Sequence, residues 1–322
     1  MRAFVTGGTG FVGSHLVEEL LRRGVDVSAL VRSEPRWLKG LPVGLVAGDL
    51  DDPVALRKSL EGVDVVFHVA GLTRAPDEAL LREANVETTR RLMDAAADAG
   101  VPRLLITSSQ AAAGPSAGAP LDEAAPMQPV SAYGRSKAAM EEAVRDHPLA
   151  DRSVIVRPPS VYGPREADIH TMIRTAARQR VFPVVGDAHA PALALVHIRD
   201  LVRGMADAAA SDAAAGHTFF LAGPRDYAWE EIRTALEAAL GHRIVRVPVP
   251  RGLVVPAGAL AEGLARLVGS YPPLNRDKAR EARERWLASS RRASETFGYR
   301  PEVDIEQGMR ETVAWYRENG WL

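Results

Sequence analysis

Tyr133 and Lys137 stand four residues apart in Ser131-Ala132-Tyr133-Gly134-Arg135-Ser136-Lys137, a run that reads as the start of a helix over Ala132–Arg145. Side chains at i and i+4 share one helical face. A phenol with its ordinary pKa of roughly 10 is a poor base at neutral pH, and a nearby ammonium would bring it down by favouring phenolate. The same pair on a solvated face carries no chemistry, so the elements around it decide.

The first of these is at the N-terminus. The apolar run Ala3–Val5 leads into Thr6-Gly7-Gly8-Thr9-Gly10-Phe11-Val12-Gly13, and helical periodicity then runs through Leu16, Val17, Leu20 and Leu21 to Gly24. This is a strand, a glycine turn and a helix. Gly7, Gly10 and Gly13 permit a tight turn, close approach of backbone to a pyrophosphate and close packing of helix on sheet. The helix start adds free N–H groups and positive dipole. The spacing is Gly-x-x-Gly-x-x-Gly, not the Gly-x-Gly-x-x-Gly of the common dinucleotide fingerprint, and a βα turn that binds nothing could look the same.

A second signal is Arg103–Thr107 followed by Ser108 and Ser109. It reads as a buried parallel strand ending in hydroxyls, and ligands of open α/β sheets bind beyond the carboxyl ends of strands. Either serine can face the site that holds Tyr133, or simply cap a turn.

Together, Thr6–Gly13, Ser109, Tyr133 and Lys137 resemble the extended short-chain dehydrogenase/reductase family, which includes NAD-dependent epimerases and dehydratases. The likeness runs along nearly the whole chain, through Asp49-Leu50, His68–Gly71, Asn85, Arg157–Pro164, Val196–Asp200 and Trp315-Tyr316, and is nearest to the dihydroflavonol-reductase and 3β-hydroxysteroid-dehydrogenase branch. It implies a catalytic trio of Ser109, Tyr133 and Lys137. Tyr133 would exchange a proton with the substrate oxygen, Ser109 would hydrogen-bond that oxygen, and Lys137 would lower the phenol pKa and hold the nicotinamide ribose. Family alignment favours Ser109 over Ser108 by its distance from Gly114. Further cofactor contacts are implied at Gly7, Thr9, Gly10, Phe11, Val12, Gly13, Asp49, Leu50, Val69, Ala70, Gly71, Asn85, Thr107, Pro158 and Ser160. Arg165 is expected at a substrate phosphate.

The elements alternate βα, with strands near Ala3–Val5, Val25–Val31, Gly44–Ala47, Val63–Val69, Arg103–Thr107 and Ser153–Arg157, and helices over Ala84–Ala99 and Ala132–Arg145. This predicts an α/β fold with a doubly wound parallel Rossmann sheet. Residues 1–160 and about 200–223, with a returning strand at His217–Leu221, are assigned to the nucleotide-binding domain. Residues 161–199 and 224–322 are assigned to a smaller substrate lobe. Gly114–Pro129 reads as an active-site loop, and Gly252–Gly269 as an amphipathic wall for an apolar pocket.

The 322 residues carry 40 Lys+Arg against 41 Asp+Glu, a net charge of −1, which gives no basic excess to draw nucleic acid or an anionic membrane. There is no cysteine, hence no disulfide or thiolate chemistry. The histidines are scattered and no metal constellation is expected. With the first strand beginning at the second residue, no signal peptide is expected, and the natural reading is a cytoplasmic enzyme. Alanine and methionine on the helices over 84–99 and 132–145 suggest a homodimer through those faces.

For the cofactor, the second strand ends Ala29-Leu30-Val31-Arg32-Ser33, with Arg36 and Lys39 following. An NAD site would place a carboxylate here, whereas Arg32, with Ser33 and Lys39, suits a 2′-phosphate. NADP is therefore expected, with NAD possible and Asp49 at the adenine. For the substrate, the run Pro191–Val196 is apolar where sugar-nucleotide epimerases of this family carry an arginine for the diphosphate. A buried diphosphate without its cation would be poorly stabilised. Three readings follow: an NADP-dependent carbonyl/alcohol oxidoreductase of a small, largely uncharged substrate, a sugar-nucleotide epimerase or dehydratase, and a cofactor-sensing regulator. An intact acid/base trio argues against the last.

Overall fold

In a computed structural model of the chain, residues 1–267 and 276–322 are described, the side chains of 261–267 excepted. The strands are β1 (Arg2–Thr6), β2 (Asp26–Val31), β3 (Gly44–Ala47), β4 (Val65–His68), β5 (Arg103–Thr107), β6 (Ser153–Arg157), β7 (Ser160–Tyr162), β8 (Val181–Val185), β9 (Pro191–His197), β10 (Thr218–Phe220), β11 (Asp226–Ala228) and β12 (Val245–Val249). The helices are α1 (Phe11–Arg22), α2 (Pro53–Ser59), α3 (Glu78–Arg82), α4 (Thr88–Asp98), α5 (Gln110–Ala113), α6 (Ala132–Arg145), α7 (Asp168–Gln179), α8 (Ile198–Ala210), α9 (Trp229–Leu240), α10 (Arg251–Leu267), α11 (Arg276–Glu281), α12 (Arg291–Phe297) and α13 (Ile305–Glu318).

Seven strands form one sheet in the order β10-β6-β5-β4-β1-β2-β3, and every pairing in it is parallel. This is the expected doubly wound Rossmann sheet, and the returning strand is β10. Continuous apolar runs such as Val65-Val66-Phe67 and Leu104-Leu105-Ile106 have this form because helices cover both faces. One core layer joins α1 and α8 to the sheet through Leu16, Val17, Leu201 and Met205. The other joins α4 and α6 through Leu92, Met93, Met140 and Val144.

A separate core unites Ile173, Phe182, Leu236, Met309 and Tyr316. It lies among α7, α9, α13 and two small sheets, ordered β11-β9-β7 and β12-β8. One late segment departs from this grouping. Ala293, Phe297 and Tyr299 pack into the central-sheet core, so α12 lies with the central sheet although its sequence position falls in the stretch read as lobe.

One expectation changes. The helix over 84–99 starts earlier, at Glu78, and passes through a π-helical turn at Glu83–Glu87 before α4. On the two helices expected to pair in a homodimer, Val86, Leu92, Met93, Met140 and Val144 are at most 1% exposed and belong to the chain's own core. Outward positions of these helices are mainly charged, among them Arg90, Asp94, Arg135 and Glu142.

Close approach of α5 to α6 sets the position of Tyr133. A Cβ on Gly134 would lie 2.4 Å from the Ala111 carbonyl oxygen and 3.1 Å from the Pro129 Cβ. Alanine is ordinarily favoured over glycine inside a helix by about 1 kcal/mol. Here Gly134→Ala is expected to destabilise the protein by about 1–2 kcal/mol, because backbone must move to admit the methyl. A higher denaturation midpoint would show that α5 gives way freely.

Candidate active site

Helix α6 brings Tyr133 and Lys137 to the carboxyl ends of β4 and β5. Its N-cap is Ser131, whose hydroxyl accepts from the Gly134 N–H at 3.1 Å, and Asp277 of α11 accepts from the Ala132 N–H at 2.8 Å. Lys137 is 5% exposed, and its Nζ donates to the Thr107 carbonyl at 2.8 Å. Burial brings the Lys137 ammonium down to about 8, with Glu141 opposing that shift.

Tyr133 behaves differently from the sequence expectation. Burial pushes its phenol up to about 12, a hydrogen bond with Ser109 pulls it down, and the Glu281 carboxylate adds to the rise. The phenol is thus held protonated at neutral pH.

The choice between the serines is resolved by their partners. Ser108 is buried and donates its hydroxyl to Glu141 Oε1 at 2.6 Å. Ser109 meets Tyr133, and its hydroxyl also accepts from the Ala111 N–H at 3.1 Å as the N-cap of α5. Capping and the contact with Tyr133 are therefore both properties of one side chain.

A network that sequence reading missed anchors this arrangement. Glu141 has no solvent exposure and accepts from Ser108, from Arg157 Nε at 2.8 Å and Nη2 at 2.7 Å, and from Arg145 at 2.5 Å. The ties run from α6 to the ends of β5 and β6. One available signal was the spacing of Glu141, four residues beyond Lys137 on the same helical face.

Asn85 lies in the π-helical turn and is 1% exposed. Its Oδ1 accepts from the Leu72 N–H, and its Nδ2 donates to the Leu72 carbonyl and to Ser136 Oγ, each at 2.9 Å. Thr89 closes the widened turn by donating to the Asn85 carbonyl at 2.6 Å. Such π turns recur at functional sites. Asn85 thereby fixes both the loop after β4 and the buried face of α6 that carries Ser136. A Cβ at Gly71 would stand 2.7 Å from Asn85 Oδ1 and 3.4 Å from Lys137 Nζ, so these three groups share one corner.

Tyr133 opens into a cavity of about 290 Å³ lined by the Thr73–Glu78 loop, the start of α6 and α11. Its rim is charged, and several of the charges pair: Glu78 with Arg135, Arg280 with Asp277, Lys278 with Glu281, and Arg74 with Asp168 of α7. Arg165 is not at this cavity. Its guanidinium binds Ser14 at 3.0 Å and Glu18 at 2.7 Å and lies over the Trp37 ring. The α10 wall expected for an apolar pocket is also absent from the described lining.

A parallel nucleotide-binding sheet with Ser109, Tyr133 and Lys137 gathered at its carboxyl edge defines an NAD(P)-dependent enzyme of the extended short-chain dehydrogenase/reductase type. The chain belongs to the NAD dependent epimerase/dehydratase family, whose model matches residues 3–222. It is similar to the ceramide reductase of Caulobacter vibrioides, at 34% identity over 99% of this chain and 95% of that protein. The 2-alkyl-3-oxoalkanoate reductase of Stenotrophomonas maltophilia is 32% identical, with 98% and 99% covered. Among solved structures, the dTDP-glucose 4,6-dehydratase DesIV from Streptomyces venezuelae, with NAD and TYD bound, matches with a TM-score of 0.79 and 26% identity over 100% of this chain and 98% of that one.

The residues present fit a dinucleotide. Helix α1 starts after Gly10 with no side-chain cap and no acidic residue in its first turn, so its first N–H groups are offered to an anion. Gly7 has φ +73°, and a Cβ there would meet Ala70 N at 2.6 Å. One at Gly13 would meet the Gly7 carbonyl at 2.1 Å. Thr9, Phe11 and Val12 complete the turn. Thr107 Oγ1, at the end of β5, is buried without a partner, as a site for a polar ligand group requires. Arg32, Ser33 and Lys39 are exposed beyond β2, and Asp49 is exposed beyond β3 with Leu50 half-buried. Val69 and Ala70 follow β4, while Pro158 and Ser160 follow β6.

His68 carries a pH consequence. It is 1% exposed, with Nδ1 paired to Thr6 Oγ1 at 2.7 Å and Nε2 to Thr89 Oγ1 at 2.9 Å. Burial first, then the Lys137 charge, lowers its pKa from 6.5 to about 3. Between those values the unfolded chain binds a proton that the folded chain refuses. This contribution is intact above the unfolded value and is lost as pH falls from about 6.5 toward 3, at up to about 1.4 kcal/mol per pH unit. His68→Asn is expected to give a flatter acid limb in denaturant titrations across that window. An unchanged slope would show that His68 charges inside the fold.

Proposed function

We propose that this protein is an NADP-dependent reductase of a ketone or aldehyde on a small, largely uncharged substrate. The observation that carries the reading is Tyr133 lining the cavity, with Ser109 and Lys137 beside it at the carboxyl edge of the sheet. A phenol held in its acid form suits proton donation to a carbonyl oxygen as it becomes an alkoxide. Ser109 donates a hydrogen bond to the same oxygen and stabilises the developing charge. Lys137, Thr107 and Asn85 form the polar corner that would hold the nicotinamide ribose, and the glycine turn with α1 would hold the pyrophosphate. The bound cofactor supplies the hydride.

The apolar β9 supports a substrate without a diphosphate. Ala192, Ala194, Leu195 and Val196 are buried there, in a stretch with no arginine. The two reductases named above support the same reading. The sugar-nucleotide reading is favoured by the likeness to the DesIV dehydratase and is separated by cofactor balance, since an epimerase leaves NADPH unchanged with turnover. NADP over NAD rests on Arg32, Ser33 and Lys39 at the end of β2. A cytoplasmic enzyme remains the reading of composition. A homodimer through α4 and α6 would draw on their charged outer faces, because the apolar residues are in the core.

Tyr133→Phe keeps the ring but removes the proton, and turnover is expected to fall by roughly 10²–10⁴-fold with cofactor affinity kept. NADPH oxidation over a series of ketones and aldehydes measures it, and turnover like the wild type would end the assignment. In Arg32→Asp, NADPH binding is expected to weaken roughly ten- to hundredfold more than NADH binding. Fluorescence titration of both cofactors decides, and equal losses would place Arg32 away from the phosphate.

A further inference from the structure

Nine large hydrophobic side chains are exposed among the described residues, and four of them, Val245, Val247, Leu253 and Leu260, fall in β12 and α10. Leu253 is 61% and Leu260 66% exposed. Pro256 and Ala257, also exposed, lie between them, whereas Val254 and Gly258 point inward. Positions 253, 256, 257 and 260 follow the i, i+3, i+4, i+7 spacing of one helical face. Over residues 253–260 the outward face of α10 is therefore apolar, the reverse of an ordinary surface helix. Strand β12 is an edge strand, paired with β8 alone.

Charge in this stretch is one-sided. Residues 241–260 contain Arg243, Arg246 and Arg251 and no Asp or Glu, in a chain of net charge −1. All three arginines are exposed. Arg246 donates to His189 at 3.2 Å and lies 3.8 Å from Glu230, while Glu237 feels the Arg243 charge. Long arginine side chains can keep their heads in a headgroup layer while their stems lie along apolar surface. An apolar helix face beside cations is the pattern of a helix lying in the plane of an anionic membrane surface. A protein partner would explain the apolar face alone. The excess of arginines over the single acidic residue of β12 and α10, Glu262, is what favours lipid.

We propose that β12 and α10 form a docking surface for an anionic phospholipid bilayer, with the Leu253–Leu260 face against the acyl boundary and the three arginines at the headgroups. Helix α10 packs on α11, and α11 lines the Tyr133 cavity. The surface thus lies one helix away from the site, and a water-poor ketone could reach Tyr133 from the bilayer. That consequence rests on the reductase reading, but the docking itself does not.

Co-sedimentation of the full chain with vesicles tests it, using phosphatidylcholine alone and phosphatidylcholine mixed with phosphatidylglycerol. Retention is expected on the phosphatidylglycerol vesicles, weakened by added salt and nearly absent on phosphatidylcholine. Replacing Arg243, Arg246 and Arg251 by Ser is expected to weaken retention roughly a hundredfold. Leu253→Glu with Leu260→Glu is expected to abolish it, with the thermal midpoint and turnover of a water-soluble ketone unchanged. Absence of wild-type retention at low salt, or equal retention of the glutamate variant, overturns the proposal. So does sedimentation equilibrium showing that the glutamate variant converts a dimer to a monomer, because the face would then pair two chains. Vesicle retention is read without turnover. A chain that docks yet reduces no carbonyl compound would refute the reductase reading and leave the surface standing.

Discussion

The Glu141 carboxylate holds the site together. Placing an ion where no water reaches is costly, and here the cost is offset by Ser108 and a two-pronged contact from Arg157, with Arg145 reaching in from the helix face. Removing one partner of such a pair leaves an uncompensated buried charge, a loss of about 3–5 kcal/mol. Because Ser108 precedes Ser109 and Glu141 follows Lys137 on α6, the same contacts set strand end and helix relative to each other. Ser109, Tyr133 and Lys137 inherit their spacing from this anchor.

That anchoring also shapes the electrostatics. The buried Glu141 negative charge sustains Lys137 as an ammonium against the desolvation that lowers it. His68, beside that ammonium and equally dry, stays neutral and serves as a hydrogen-bonding bridge between Thr6 and Thr89. Tyr133 lies at the cavity with its proton retained. The corner therefore sets a protonated phenol at the cavity in front of one buried cation.

The lobe contributes through a few polar ties. Asp277 of α11 binds the first turn of α6, and Arg74 after β4 meets Asp168 of α7. Asp200 accepts from the N–H groups of Glu302 and Val303, stitching α8 to the C-terminal chain at 3.0 and 2.8 Å. The cavity is enclosed by parts remote in sequence, and several of its rim charges pair with one another.

The sequence by itself determined the parallel sheet, because buried strands must be continuously apolar and their connections helical. It also determined the glycine turn, whose close approaches admit no side chain at Gly7 or Gly13, and the Tyr133–Lys137 pair, because α-helical spacing is a local rule. Strand bounds such as Arg103–Thr107 and the helix Ala132–Arg145 were legible residue for residue. Only the tertiary structure decided which serine meets Tyr133, that Lys137 turns to Thr107, that Arg165 belongs to α1, and that Val86, Leu92 and Met93 are core. A net charge of −1 averaged away the acid-free stretch over residues 241–260. Each of these depends on which distant groups share a small dry volume, where desolvation and hydrogen-bond partners fix a side chain's state, and spacing along the chain carries no measure of that volume.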